Sequence, residues 1–145
     1  MKKGLLLACA MLLAGMGASC GLLDTEVPTA DVGECVTNDI AASTVSEFDV
    51  VDCTESHTVE LIHKFDLPDG DFPGAEEIST ATQEQCQGST FEDYVGLDYQ
   101  SSEIEIYPVT PTEETWNDAD DREVLCFGGN LDGTPLTESI EGIAR

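Results

Sequence analysis

Four cysteines, Cys35, Cys53, Cys86 and Cys126, are spread through the part of the chain beyond its first twenty residues, and they constrain the fold more than any other feature. What they do depends on redox compartment. In a small exported domain an even number reads as two disulfides. Structural zinc sites instead set paired cysteines roughly two to four residues apart, and no pair here has that spacing. Four cysteines allow three connectivities, and their spacing does not choose among them.

The N-terminus supplies the compartment. Met1-Lys2-Lys3 is cationic, Leu5 to Leu13 is an apolar run broken only by small residues, and Ala14, Gly15, Gly17, Ala18 and Ser19 come next. These are the three regions of a secretory signal. The apolar run is shorter than the roughly 20 residues that span a bilayer. Gly17-Ala18-Ser19-Cys20-Gly21 resembles the lipobox of bacterial lipoproteins, with small Ala18 and Ser19 before the cysteine and Gly17 where a Leu is usual. Cys9 follows a similar Leu6-Leu7-Ala8, but too little apolar chain precedes it to engage export. The alternative is an ordinary cleavage site with Cys20 as a bystander. The expected organisation is a lipoprotein signal peptide over 1–19, a lipidated tether over 20–31 containing Pro28, and one domain over 32–145. Two acyl chains on Cys20, palmitate-like in length, give stable attachment to the outer face of the cell membrane where one chain would not.

Cleavage before Cys20 leaves 30 acidic against three basic residues, Lys64, Arg122 and Arg145, a formal charge of −27. Such a chain repels phosphate backbones, which excludes nucleic acid and anionic lipid surfaces as partners. The acidity is spread rather than blocked, as suits a solvated surface in a salty exterior; a dedicated cation-binding surface is the rival reading.

Local patterns predict an α+β domain: a small antiparallel sheet with one main helix and short helices on one side, held by two disulfides. Val45 to Cys53 and His57 to Phe65 read as strands joined by Thr54-Glu55-Ser56 into an antiparallel pair. In the second, period 2 puts His57, Val59, Leu61, His63 and Phe65 on one face, and Thr58, Glu60, Ile62 and Lys64 on the other. Leu67 to Pro73 is a loop. From Gly74 a helix is expected with Ala75, Ile78, Ala81, Thr82, Gln85 and Cys86 on its core face. Gly88 interrupts it, and Ser89 or Thr90 caps a second short helix through Phe91, Tyr94 and Val95. Glu103 to Val109 is a strand with Ile104 and Ile106 on one face. Thr110-Pro111-Thr112-Glu113 reads as a capping box with Pro at the first helical position, starting a short helix towards Trp116. Arg122 to Phe127 is the last strand, and Gly128, Gly129, Asp132 and Gly133 loosen the C-terminal part.

No motif for nucleophilic catalysis, zinc peptidase chemistry or phosphate binding occurs. His57 and His63 are about 20 Å apart along a straight strand, too far to share a metal. His57, four residues after Cys53, is placed to hydrogen-bond the hairpin end. Asp66, Asp69 and Asp71 have the oxygen chemistry of weak calcium ligands but neither the alternation nor the closing Glu of a calcium loop. Asn117-Asp118-Ala119-Asp120-Asp121 is a second acidic cluster. Glu76, Glu77 and Glu84 lie on the exposed side of the helix, with no cleft between them of the kind paired-carboxylate hydrolysis needs.

Val32-Gly33-Glu34-Cys35, Val50-Val51-Asp52-Cys53-Thr54-Glu55-Ser56-His57 with Val59-Glu60-Leu61, Phe72-Pro73-Gly74, Cys86, Tyr94-Val95-Gly96, Pro111-Thr112-Glu113-Glu114, Trp116 and Asp121-Arg122 with Cys126 succeed one another in a fixed order. In that order they resemble the septum-formation domain family of actinobacterial envelope proteins, over nearly the whole mature chain. Where the family pattern has a Gly before the Asp-Arg pair, this chain has Asp120. The resemblance implies an exported or membrane-attached domain linked to division-septum formation, with no known catalytic residue or cofactor. It also implies the pairings Cys35–Cys53 and Cys86–Cys126.

The function expected from these readings is a non-enzymatic extracytoplasmic module that contacts envelope or division-septum proteins presenting a basic surface. A carbohydrate- or cation-binding module is the alternative. Cys20→Ser should release the protein from membranes or leave the precursor uncleaved; a variant that fractionates and matures like wild type would remove the lipid reading.

Overall fold

The computed structural model describes residues 26–41 and 45–145. The signal over 1–19, Cys20 and the first part of the tether lie outside the described residues. The chain runs through β1 (Cys35–Val36), β2 (Val50–Val51), β3 (Val59–Asp66), α1 (Ala75–Cys86), α2 (Ser89–Val95), a 3-10 turn (Tyr99–Ser101), β4 (Ile104–Val109), α3 (Glu113–Asp118) and β5 (Glu123–Asn130). The strands form one antiparallel sheet in the order β2-β1-β3-β5-β4. This is the small α+β fold that the sequence predicts. No helix among the described residues is long and apolar enough to cross a membrane.

The sheet separates two apolar clusters. On one side α1, α2 and α3 contribute Ile78, Phe91, Val95 and Trp116 against Ile62, Ile104, Ile106, Val124 and Cys126. On the other, Ala30 and Phe48, from segments without regular structure, cover Val36, Val59, Leu61, Leu125 and Phe127. Ala30, assigned to the tether by sequence, is thus already part of the packed domain. With both faces covered, β5 shows no alternation: Val124 through Gly129 are all buried.

Both disulfides form as the family resemblance implies. Cys35–Cys53 closes 18 residues, with Cα atoms 5.3 Å apart, and Cys86–Cys126 closes 40 residues, with Cα atoms 5.7 Å apart. The first ties β1 to the turn after β2, and the second clamps the end of α1 to the centre of β5. Loops of these lengths stabilise by about 3–4 kcal/mol each through lost unfolded-state entropy.

Several local expectations are corrected. Val45 to Cys53 contains only the two-residue strand β2, and it does not pair with β3. Instead β1 lies between them, pairing Cys35 with Val51 on one side and with Glu60 on the other. The five-residue face of β3 is also broken. A register shift between Leu61 and His63 leaves Leu61 opposite Phe127 and His63 opposite Cys126. Val59 and Leu61 therefore face one core while Phe65 packs against the other, and Lys64 crosses over to donate to the Ala30 carbonyl at 2.9 Å. An extra residue in one strand turns every later side chain over.

The helix starts shift similarly. α1 buries Ile78, Thr82 and Cys86 as expected, but Ala75 and Gln85 are exposed. Gly88 caps α2 without a side-chain bond, so neither Ser89 nor Thr90 is the cap. The capping box of α3 lies two residues later than expected: Thr115 N–H donates to Thr112 Oγ1 at 3.1 Å and Thr112 N–H to Thr115 Oγ1 at 2.9 Å. Pro111 precedes the cap, and a hydroxyl at N3 closes the box as a carboxylate would. Pro108 is tolerated in β4 because that strand is at the sheet edge.

Gly128 and Gly129, expected to loosen the chain, lie inside β5 because neighbours press on them. A Cβ on Gly129 would meet Val59 Cγ1 at 2.9 Å and the Thr58 carbonyl oxygen at 3.0 Å. Gly129→Ala should therefore destabilise the fold by about 1–3 kcal/mol through overpacking. Equilibrium denaturation measures this, and an unchanged midpoint would contradict the packing argument.

Candidate functional site

Two places gather chemically distinctive side chains: a buried polar cluster beside Cys35–Cys53, and an open cleft lined by α3, the end of β4 and the irregular segments around Pro28 and Val45.

Glu60 sits in β3 directly across from Cys35. Its side chain is fully buried. Tyr94, from α2, donates its hydroxyl to Glu60 Oε1 at 2.6 Å, and the Ser139 hydroxyl donates to the same oxygen at 2.8 Å. The Ile140 N–H donates to Oε2 at 2.7 Å. Three donors thus engage a carboxylate with about four acceptor sites. Burial first, and then the bond to Glu60, push the Tyr94 hydroxyl far above its ordinary range.

His57 adjoins this group. The residue is 2% exposed. Nδ1 lies 2.8 Å from the Glu55 carbonyl oxygen, inside the turn, as the sequence suggests for a histidine at the hairpin end. A carbonyl only accepts, so Nδ1 carries hydrogen, and in the neutral ring Nε2 bears the lone pair. Nε2 is buried and has no partner among the described residues. The backbone of His57 exchanges two hydrogen bonds with Leu136, at 3.0 and 2.8 Å, which fastens the C-terminal segment here. A ring nitrogen of His57, Cys35 Sγ and a Glu60 carboxylate oxygen all lie within 4.8 Å of one another, the one such group among the described residues. Sequence reasoning missed it because Glu60 lies on a nominally polar face and its donors lie 34, 79 and 80 residues away.

The other sequence candidates do not converge. His63 is remote from His57 and stacks on Phe65 with ring centroids 5.9 Å apart; burial lowers its basicity. Asp66 ends β3 opposite Glu123, whereas the exposed Asp69 lies 3.7 Å from Arg122 Nε. Asp66, Asp69 and Asp71 form no metal-sized group. Arg122 instead organises this region. It lies 3.8 Å over the Trp116 ring, donates to the Trp116 carbonyl at 3.0 Å and pairs with Asp120 at 2.9 Å. Trp116 Nε1–H donates to the Gly70 carbonyl at 2.9 Å. Asp120, standing where the family pattern has Gly, adopts a left-handed φ of 55°.

The cleft has a volume of about 970 Å³. Pro28, Ile40, Val45, Val109 and Leu125 give it apolar walls. Glu26, Glu113, Glu114, Asp118, Asp121 and Glu123 rim it, and no basic side chain among the described residues lines it. Burial raises the Glu123 carboxyl above its ordinary range; Lys64 opposes this, while Asp66, Asp121 and Asp31 add to it. A crowded, partly desolvated carboxylate wall of this kind favours an incoming cation.

The fold and these sites describe a disulfide-stapled α+β domain with an acid-rimmed cleft. The chain belongs to the septum formation family, whose sequence profile matches residues 32–135. Neither the curated proteins nor the solved structures compared with it give a significant match.

Tyr99 supplies a pH test alongside Tyr94. Its hydroxyl donates to Glu105, and burial together with that carboxylate pushes its pKa from an ordinary 10.0 up to about 12. A raised folded-state pKa stabilises fully below the unfolded value and loses that contribution as pH climbs through the folded one. Stability contributed by Tyr99 should hold below about pH 10 and fall between about pH 10 and 12. Tyr99→Phe should flatten that decline in a denaturation series against pH, and an identical alkaline slope would refute the assignment.

Proposed function

We propose that the chain is a non-enzymatic, lipid-anchored extracytoplasmic module that docks a cationic, partly apolar segment of an envelope or division-septum protein. The acid-rimmed cleft carries this reading. Its apolar walls offer burial, and its rim offers six carboxylates of which Glu123 alone has a basic partner among the described residues, Lys64 at 3.8 Å. Opposite potentials across an interface speed encounter and select the partner more than they add affinity. Family membership supports a role at the septum or envelope. The burial of His57 and Glu60 supports a binding role over turnover, since neither is presented to a substrate from solution. A lipid on Cys20 confines the module to the membrane plane, where a weak contact gains from raised effective concentration.

The test uses detergent-solubilised chain and two peptides of equal apolar content, one rich in Lys and Arg and one rich in Asp and Glu. The cationic peptide should bind, more weakly from low to physiological ionic strength as the Debye length falls to about 8 Å. Glu113→Lys with Glu114→Lys should weaken it several-fold. Equal binding of both peptides, or binding indifferent to salt and to the rim substitutions, would end the docking reading. A fluorescent fusion evenly distributed through the cell cycle would remove its septal part.

A further inference from the structure

We propose that opening the Cys35–Cys53 disulfide creates a zinc site from Cys35 Sγ, Cys53 Sγ, His57 Nε2 and a Glu60 carboxylate oxygen. Three of these residues already offer ligand atoms within 4.8 Å of one another. Ligand atoms around tetrahedral zinc are separated by about 3.5 Å, given bonds of about 2.0–2.3 Å, so short movements gather them. Cys53 Sγ is bonded to Cys35 Sγ and so belongs to the same neighbourhood. The backbone brings these residues together independently of any metal. Cys53 and His57 share one turn, and Cys35 is paired with Glu60 across β1 and β3.

The histidine is prepared for this role. Metal-binding imidazoles usually donate their second ring N–H to a carbonyl or carboxylate, which fixes the tautomer and turns the other lone pair towards the metal. His57 Nδ1–H donates in this way to the Glu55 carbonyl at 2.8 Å, leaving Nε2 buried with an unused lone pair. Glu60 is similarly held, with three donors on its oxygens and about one acceptor site left. A buried ring and a buried carboxylate thus lie within ligand distance of each other, where a cation would lower the energy of both.

With the disulfide closed, neither sulfur is a thiolate, and the group lacks its two strongest zinc ligands. A dithiol reductant of the thioredoxin class changes that. One of its thiolates attacks Cys53, the less buried of the two cysteines, the Cys35–Cys53 bond breaks, and Cys35 leaves as a thiolate. The second reductant thiol displaces Cys53 and leaves the reductant as a disulfide. Cys35 and Cys53 have then taken up two electrons and two protons. Both protons pass to solvent when zinc binds the thiolates. The metal restores across Cys35 and Cys53 the tie that reduction removed.

The test uses the detergent-solubilised full chain carrying Cys9→Ser and Cys20→Ser, with zinc and cobalt as probes. Adding Cys53→Ser frees the Cys35 thiol without any reductant and leaves Cys86–Cys126 closed. That chain should hold one zinc and show a thiolate-to-cobalt charge-transfer band, and His57→Ala in the same background should weaken binding by about tenfold or more. The phosphine-reduced parent should show a stronger band, also sensitive to His57→Ala. A folded Cys53→Ser chain that holds no zinc, or one whose affinity is indifferent to His57→Ala, would overturn the proposal. Where a substituted chain does not fold, zinc-edge X-ray absorption of the phosphine-reduced parent decides: a mixed sulfur and nitrogen shell supports the site, and an all-sulfur or sulfur-free shell overturns it.

Discussion

A carboxylate without exposed surface dominates the architecture of this domain. Removing an ion of that kind from water costs several kcal/mol unless donors replace the hydration. The donors to Glu60 come from three separate residues: Tyr94 on α2, and Ser139 and Ile140 on the C-terminal segment. Each must be in place at once, so Glu60 fixes the rotation of α2 and the path of the last residues together. Further bonds depend on that path. Gly142 N–H donates to the Tyr94 carbonyl at 2.7 Å and Ala144 N–H to the Val95 carbonyl at 2.8 Å. Ile140, whose N–H serves Glu60, also fills the space above Gly128 with its side chain. The last ten residues, beyond the stretch matched by the family profile, are therefore a working part of the fold.

The remaining ties distribute the same task around the sheet. Cys35–Cys53 holds the short strands β1 and β2, which are too brief to stand by ladder bonds alone, and Cys86–Cys126 holds α1 against β5. The Trp116–Arg122 stack holds α3 and the Gly70 loop without a covalent bond. Asp120 adds an ion pair to that stack at a cost. A left-handed residue other than Gly is strained, but a shorter substitute would forfeit the 2.9 Å ion pair with Arg122. The departure from the family pattern thus exchanges backbone ease for an additional anchor on the guanidinium.

How much of the fold was legible in the sequence tracks the range of the forces involved. The 3-4 spacing of Ile78, Thr82 and Cys86 gives α1, because helix burial is written in neighbouring residues. The disulfide pairs came from the order of family-like pieces, not from spacing. The pairing of β3 with β1 instead of β2 was hidden, since β1 is two residues long and carries no period. The bulge after Leu61 was hidden because the alternating pattern reads equally well without it. Gly128 and Gly129 read as loop residues until Ile140, Val59 and Tyr107 are seen pressing on them. The role of Glu60 is the least legible of all. A Glu in an alternating strand reads as solvent-facing, and only donors distant in sequence reverse that reading.

The charge balance connects stability to the proposed docking. All three basic side chains of the domain are engaged internally. Lys64 pairs with Asp31 at 3.1 Å and Glu123 at 3.8 Å, Arg122 with Asp69 and Asp120, and Arg145 with Glu103 at 3.5 Å. None lines the cleft, and of its rim carboxylates only Glu123 is paired among these, so most of the rim meets solvent as negative charge. Self-repulsion of this kind destabilises a compact state, and covalent staples oppose it without adding any charge. A cationic segment in the cleft acts in the same direction, because a ligand that binds only the folded state raises its stability by mass action. On this argument the acidity, the disulfides and the acid rim are parts of one arrangement: a domain held closed by bonds indifferent to charge, which keeps its negative field available for the proposed partner.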